Sequence, residues 1–587
     1  MPSRNSGKNE KSARTNSCEN LQQYCLNSSL HGLRYIGTSS LSAFERIFFG
    51  ISFLLVVILA TYFISNIYQK WNDSPVIISG NPFTTKIAEI PFPAVTICNM
   101  NQVKRSFAKT LEQKRDKVIL DSICTVGDEI KDQSDVFEGK WSYVKQFLLN
   151  ASQPCNQMIK MCKFGMRNVS CEKIFSTVLT DEGLCCTFNA YHPKLIFKNF
   201  EEKDYVDSDG VQEVDYATWT PEKGYADIEE KLPYPRPVQG AGAHFGLSIL
   251  LDVDVANYYC SSTSSYGFKS LLHSPVETPK MANFGFFIAP GQETKVVITP
   301  RISEASDLIR NVPMLQRQCV FDNENNLSYY NIYSKKNCES ECISKYMQHE
   351  CNCTLYYMPR RFDIESKVCS RMEASCYESV TYRIQSTTNN DLTCSHCLPA
   401  CFEINYGREI SSCPLGTGSF QTVEPLLKTY NASYIKDNLA VVHISLNDNA
   451  YSGNTKNELI GFTEFLSNTG GLLGLFMGFS VISLMEIIYF LTLRPYCAGK
   501  RIEHENNIGR NRVNYQGFNR VKMFAHENYM KNERFQRKPL HLATHSTVGS
   551  YFSRFQSKTN SFLKNAKEKF TEFYKDEETQ PPYPYFN

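Results

Sequence analysis

Along one long apolar run, from just ahead of its start, stand the residues of this chain best suited to handling an ion. They are Gly470, Gly474 and Gly478 at four-residue spacing, the tripeptide Gly478-Phe479-Ser480, and a single carboxylate, Glu486. A Gly-x-Ser break in a helix frees backbone carbonyls, and at membrane depth free carbonyls are tolerated only where they line a water-filled path. With the Ser480 hydroxyl, such carbonyls can replace part of the water shell of a small cation. Glu486 points the same way, because a carboxylate inside an apolar helix costs roughly 3 kcal/mol on insertion scales unless it faces water or a partner. Arg494 lies eight residues further on, which weakens the plain reading of a side chain reaching for the inner interface. The plain reading of the glycines is close helix packing of the small-xxx-small kind.

The elements that must position these residues follow from hydropathy. Residues 472–493 are almost wholly apolar for about 22 positions, long enough to cross a hydrocarbon core at 1.5 Å per residue. Residues 47–68 form a second such run, and nothing ahead of it resembles a cleavable leader. Both flanks are basic: six Lys and Arg within 1–46, and about 17 against about 9 acids after residue 493. The positive-inside tendency therefore predicts cytoplasmic termini and an extracellular segment between the helices. Cysteine usage agrees, since nineteen of 22 lie between Cys98 and Cys413, as expected of disulfides formed in an oxidising compartment. Sequons at Asn150, Asn168, Asn326, Asn352 and Asn431 fall inside the same interval. The expected order is a cytoplasmic 1–46, a first membrane helix 47–68, an extracellular 69–467, a second helix and pore at 468–493, and a basic cytoplasmic tail 494–587. The net charge of +2 gives no nucleic-acid footprint.

Within the extracellular segment, β-branched and alternating stretches predict strands at VIIS, PFPAVTICN, 244–255, 284–302 and VHISLND. Residues 124–236 read as peripheral and insertion-tolerant, with helical patches near 144–149 and 156–163 and an acidic, Tyr- and Pro-rich stretch at 201–237. Cys338 and Cys342 have helical i, i+4 spacing, and the CxxC group at Cys394 and Cys397 can face them. Zinc is the rival reading for such a group, and the extracellular setting favours disulfides. The tail is either disordered or laid against anionic lipid.

The segment GGLLGLFMGFS at 470–480, followed by Glu486, resembles the second transmembrane helix of the degenerin/epithelial sodium channel superfamily. The resemblance continues through His31-Gly32, PFPAVTICN at 91–99, GLCCTFN at 183–189, FGFFIAP at 284–290 and the array from Cys319 to Cys401. It covers about residues 30–495 in the family's order. HGLRYIG at 31–37, ICNMNQVKRS at 97–106 and MEIIYFLTLRPYC at 485–497 look most like the insect pickpocket branch.

That resemblance implies a two-pass membrane protein of the plasma membrane whose helices flank a large disulfide-rich α+β ectodomain of palm, β-ball, finger, thumb and knuckle, as in acid-sensing channels. It implies a homo- or hetero-trimer, a sodium-preferring permeation path and no cofactor beyond the permeant Na+. By position, Gly478, Phe479 and Ser480 match the selectivity filter and Glu486 the acid below it. Ser467, Asn468, Gly470, Gly471 and Gly474 match the gate and degenerin region, and His31-Gly32 the gating motif of the re-entrant segment. The implied disulfides are Cys98 with Cys185, Cys162 with Cys171, Cys319 with Cys401, Cys338 with Cys397, Cys342 with Cys394, Cys351 with Cys376 and Cys353 with Cys369. Cys124, Cys155, Cys186, Cys260 and Cys413 are left open.

Two departures bear on the stimulus. No histidine occurs in 71–92 and Gln316 stands where a tryptophan is expected, which disfavours proton gating by that route; Tyr489 replaces a second pore acid. The expected function is a pore subunit of an amiloride-sensitive channel in sensory or epithelial cells, opened by a mechanical, osmotic, small-molecule or peptide signal. The alternative is a non-conducting two-pass receptor or adhesion protein. No Ser-His-Asp, HExxH or paired-carboxylate signature supports an enzyme.

Overall fold

The computed structural model describes residues 21–73, 75–111, 114–124, 139–200, 217–226, 233–361, 367–385, 394–417, 420, 423–494, 496–497 and 500. Most of the acidic 201–237 stretch and nearly all of the basic tail lie outside them. The chain forms two units, Met1–Glu486 and Ile487–Asn587. In the second, a π-helical turn, Tyr489–Leu493, carries an edge contact between Tyr489 and Phe490 and places the Arg494 guanidinium 4.6 Å from the Phe490 ring.

In the first unit, helix α1 (Leu33–Gly37) precedes the long helix α2 (Ala43–Asp73). The latter outruns the expected 47–68 because its start is capped: Ser42 N–H and Oγ–H donate to Glu45 Oε2 at 2.8 and 3.0 Å, and Glu45 N–H returns to Ser42 Oγ. Pro75, just past its end, cannot continue a helix. Among the described residues, α2 is the one helix long and apolar enough to cross a bilayer by itself.

Strand β1 (Val76–Gly80) follows, then β2 (Ala94–Asn99), β3 (Ile159–Phe164), β4 (Phe175–Thr180), β5 (Gly183–Phe188), β6 (Leu247–Asp252), β7 (Phe268–His273) and β8 (Phe286–Ile288). After the left-handed turn at Gly291 come β9 (Gln292–Ala305), β10 (Glu403–Pro414), β11 (Leu439–Leu446) and β12 (Asn454–Glu458). The larger sheet runs β1-β12-β9-β11-β6-β3, with β10 also on β9; the second runs β8-β7-β2-β5-β4. β9 alternates buried Thr294, Val296, Ile298, Pro300 and Ile302 with more exposed neighbours, the period of a half-buried strand. Both sheets contribute to one core, which includes a cluster of Phe92, Phe164 and Phe188 with ring centroids 5.1 to 5.9 Å apart, Phe92 meeting the other two edge-on.

Two expectations are corrected here. Residues 156–163 are not helical beyond one turn, Cys155–Met158, because Ile159, Cys162 and Phe164 are buried along a strand paired with β6 and tied by the Cys162–Cys171 disulfide. Nor is 124–236 peripheral throughout. It supplies β3, β4 and β5, and Phe164, Phe175, Phe188 and Trp219 are core residues. Lys160 and Lys163, exposed and partly exposed, interrupt the apolar residues of β3, and Lys173 stands just ahead of β4, so the stretch reads as heterogeneous. A cavity that the sequence does not announce is lined by Tyr191, Phe197, Tyr234, Tyr356 and Tyr357.

Helix α3 (Trp141–Ala151) confirms the patch at 144–149, packing Val144, Phe147 and Leu148 inward. Helix α4 (Lys335–Cys351) starts at Ser334, whose Oγ accepts from Asn337 N–H. Its inner face is Asn337, Cys338, Glu341, Cys342, Ser344 and Met347, too polar for an apolar core. Covalent bonds hold it instead. Cys338 and Cys342 join Cys397 and Cys394, and Cys351 joins Cys376 on helix α5 (Ala374–Gln385). Nine disulfides form among the described residues. Seven are the pairs named above, and the others are Cys124–Cys260 and Cys155–Cys186, leaving Cys413 exposed and free. The zinc reading of the CxxC group fails for a chemical reason. His396 does lie beside Cys338 and Cys397, but those sulfurs are bonded to each other and are not thiolates.

Candidate functional site

β1 and β12 are antiparallel neighbours, Val76 opposite Glu458 and Gly80 opposite Asn454, so the chain that leaves α2 and the chain that enters the next helix sit side by side. That helix, α7, follows the short α6 (Ala432–Asn438) in chain order and spans Phe462–Met477. It packs along α2 through two stacked ring pairs, Trp71 with Phe465 at 4.9 Å and Phe63 with Phe476 at 5.9 Å.

The helix stops at Gly478, which has φ +65°. Gly478 N–H returns to the Gly474 carbonyl at 2.9 Å and Phe479 N–H to Leu473 at 3.2 Å. After Ser480 a new helix begins, α8 (Val481–Ile488). The segments Phe462–Met477 and Val481–Leu493 meet at 73°, and they have the length and apolar character of a span only as a bent pair. Ser480 caps the second segment: Ser483 N–H donates to Ser480 Oγ at 3.4 Å, and Ser480 N–H donates to Ser483 Oγ at 3.1 Å.

A break exposes carbonyls that the helix would have satisfied, and buried carbonyls need donors. The Met477 carbonyl receives one from far away in sequence, His31 N–H at 2.9 Å. The His31 ring lies directly against Gly478, where an added Cβ would come within 2.7 Å of Cε1 and Nε2. Glycine is thus demanded twice at 478, by a left-handed backbone and by the imidazole. Gly32, at φ +86°, turns the chain from this contact into α1.

Two residues before His31, Ser29 reaches α8. Its N–H and Oγ–H donate to Glu486 Oε2 at 2.9 and 3.1 Å, and its Oγ lies 2.7 Å from Ser483 Oγ. Ser483 is 1% exposed. Glu486 is half-buried, and among the described residues both of these bonds fall on Oε2. The carboxylate is therefore neither an orphan nor a snorkelling side chain, but one held by the N-terminal segment.

Of the residues singled out in the sequence, Gly478, Ser480, Glu486, His31 and Gly32 come together at this break, with Phe479 inside it. Ser467, Asn468, Gly470 and Gly471 do not join them. They are exposed on α7, and nothing lies within 4 Å of a Cβ built on Gly470 or Gly471. Close packing within the chain is therefore not what those two glycines serve. Sequence reasoning missed Ser29 and Ser483; the available signals were the Ser28-Ser29 doublet ahead of His-Gly and a serine one turn after Ser480. Near the other end of the helix pair, Gln316 Nε2–H donates to the Asn72 carbonyl at 3.4 Å, where the resemblance expects a tryptophan. The sequon residues Asn150, Asn168, Asn326, Asn352 and Asn431 are all exposed.

The family model described as "Amiloride-sensitive sodium channel" matches residues 24–490. Pickpocket protein 28 of Drosophila melanogaster is 40% identical over 488 residues, which is 82% of this chain and 80% of that one. Sodium channel protein Nach of the same fly is 23% identical over 492 residues, 80% of this chain and 86% of its own. Acid-sensing ion channel 4-B of Danio rerio is 25% identical over 484 residues, 80% and 75% of the two chains.

Proposed function

This chain belongs to the amiloride-sensitive sodium channel family, and from that premise we propose that it is the pore-forming subunit of a trimeric, sodium-preferring channel in the plasma membrane. Helix α2 and the bent pair α7–α8 are the two spans, both termini are cytoplasmic, and the β-rich, disulfide-stapled domain is extracellular. Gly478, Phe479 and Ser480 form the filter, Glu486 the ion-binding acid beneath it, and Ser467 with Asn468, Gly470, Gly471 and Gly474 the gate region. His31 and Gly32 hold the filter turn from the cytoplasmic side. Ions pass down their gradient and no bond is made or broken.

The observation that carries this reading is the convergence of a helix break, a docked His-Gly turn and a held carboxylate at one place. A packing anchor has no use for that combination. The exposed α7 face from Ser467 to Gly471 supports assembly, because a neighbouring copy would cover it. The gate opens on an extracellular mechanical, osmotic or chemical signal, the last including a small molecule or peptide. Tyr489, in place of a second acid, leaves one ring of carboxylates in the inner vestibule.

Expression in oocytes, alone or with a sister subunit, tests the reading. The expected result is an amiloride-sensitive inward current that vanishes when sodium is replaced by an impermeant cation. Surface delivery without current under every co-expression and stimulus would sink it.

A further inference from the structure

We infer that Ser29 is a positioning residue of the ion path, and that its hydroxyl ties the filter turn to the pore carboxylate. This rests on the pore reading of Gly478 to Glu486 given above.

The direction of the hydrogen bonds can be worked out from their ends. Ser29 Oγ–H donates to Glu486 Oε2 at 3.1 Å, the carboxyl oxygen accepting. Ser29 Oγ must then accept at its 2.7 Å contact, which makes Ser483 Oγ–H the donor. Ser483 Oγ in turn accepts from Ser480 N–H at 3.1 Å. The result is a single chain with every hydroxyl oriented the same way, from Ser480 N–H through Ser483 and Ser29 to Glu486. Ser29 N–H adds a second bond to the same carboxylate oxygen at 2.9 Å.

Two consequences follow from this geometry. With Oε2 held by two donors, the carboxylate is fixed in rotation, and Oε1, which accepts no bond among the described residues, is the oxygen that meets a permeating cation. Charge-assisted bonds of this kind are the strong ones and hold geometry tightly. The chain also crosses the break in the second span, since Ser480 belongs to the filter turn and Glu486 to the helix below it. Ser29 comes from neither, being supplied by the segment ahead of the first span. Movement of the N-terminal segment therefore changes the orientation of the pore acid without any change in the helix that carries it.

The test compares wild type, Ser29→Ala, Ser29→Thr, Ser483→Ala, Glu486→Gln and the Ser29→Ala/Glu486→Gln pair, each with surface labelling. The readout is the Na+/K+ permeability ratio from reversal potentials under bi-ionic conditions. Ser29→Ala and Ser483→Ala should lower the ratio severalfold, Ser29→Thr should hold it near wild type, and the double variant should fall no further than Glu486→Gln. If Glu486→Gln shifts the ratio and Ser29→Ala does not, the positioning role is overturned while the pore reading stands. If Glu486→Gln leaves the ratio unchanged, the pore reading itself fails. Should Ser29→Ala carry no current, Ser483→Ala supplies the decisive arm, and an unaltered ratio there overturns the inference. Loss of current in both Ser29→Ala and Ser29→Thr at normal surface levels also overturns it, since the hydroxyl would then not be what matters.

Discussion

At the scale of single residues, Gly478 carries a double local demand. Any other L-residue would be forced into the left-handed region at a cost of about 1–2 kcal/mol and would drive its Cβ into the His31 ring. Gly478→Ala is expected to abolish sodium current at normal surface expression, and adding His31→Ala should not restore it, because the backbone strain remains. Current recordings on both variants check this. A second residue, His273, makes an acid-stability prediction. Its Nδ1–H donates to the Ser274 carbonyl at 2.9 Å, and in the neutral ring Nε2 then accepts from Thr96 Oγ1–H at 2.9 Å. Burial, the largest cause, pushes its pKa down to about 4; the Ser274 bond acts the other way. The unfolded chain binds that proton near pH 6.5. His273 therefore contributes its full stabilisation above about pH 6.5, and loses roughly 3 kcal/mol as pH falls from there to about 4. Melting temperatures of the purified protein across this range should drop less steeply in His273→Gln.

At the scale of elements, the instructive case is α4, a helix whose inward face carries Asn337 and Glu341. Glu341 Oε1 and Oε2 accept from the N–H groups of Ser328 and Tyr329 at 2.7 and 2.8 Å, and Lys345 Nζ pairs with Oε1 at 2.6 Å. Burial raises this carboxyl's pKa, but the Lys345 bond and the two backbone donors outweigh it, and the net shift is downward. A helix built this way relies on its disulfides. The two pairs that neither the spacing nor the resemblance supplied are the sharper test of the fold. Cys155–Cys186 ties the turn before β3 to β5, and Cys124–Cys260 closes a separation of 136 residues. Replacing Cys155 and Cys186 together by Ser should cost about 2–5 kcal/mol, read as a lowered melting temperature or reduced surface yield. Cys413→Ser should change neither, since that thiol is exposed and unpaired.

At the scale of the whole molecule, the larger sheet is continuous with both helices through one strand pair. In the proposed channel a force or ligand acting on the core would reach the membrane through β1 and β12, and the stack of Trp71 on Phe465 joins the helices just beyond them. Aromatic pairs of this sort contribute about 0.5–1.5 kcal/mol beyond their buried area. Phe465→Ala is accordingly expected to leave assembly and surface delivery intact while weakening the current evoked by an extracellular stimulus. Dose–response or pressure–response curves measure that loss, and an unchanged curve would show that the stack does not transmit.

Much of this was legible in the sequence because it follows from local chemistry. The 22-residue apolar runs, the β-branched strands and the Gly-Phe-Ser interruption each depend on neighbours a few positions away, where hydropathy and backbone freedom decide. Strand β3 was hidden because Lys160 and Lys163 interrupt its apolar residues, and β4 and β5 join a sheet only because β5 pairs with β2 from a distant segment. The same limit applies to Glu486. By itself the sequence made Glu486 conspicuous, a carboxylate that had to find water or a partner. Only the tertiary structure decided that the partner is Ser29, because a hydrogen bond between positions 457 residues apart in the chain depends on the fold bringing them together.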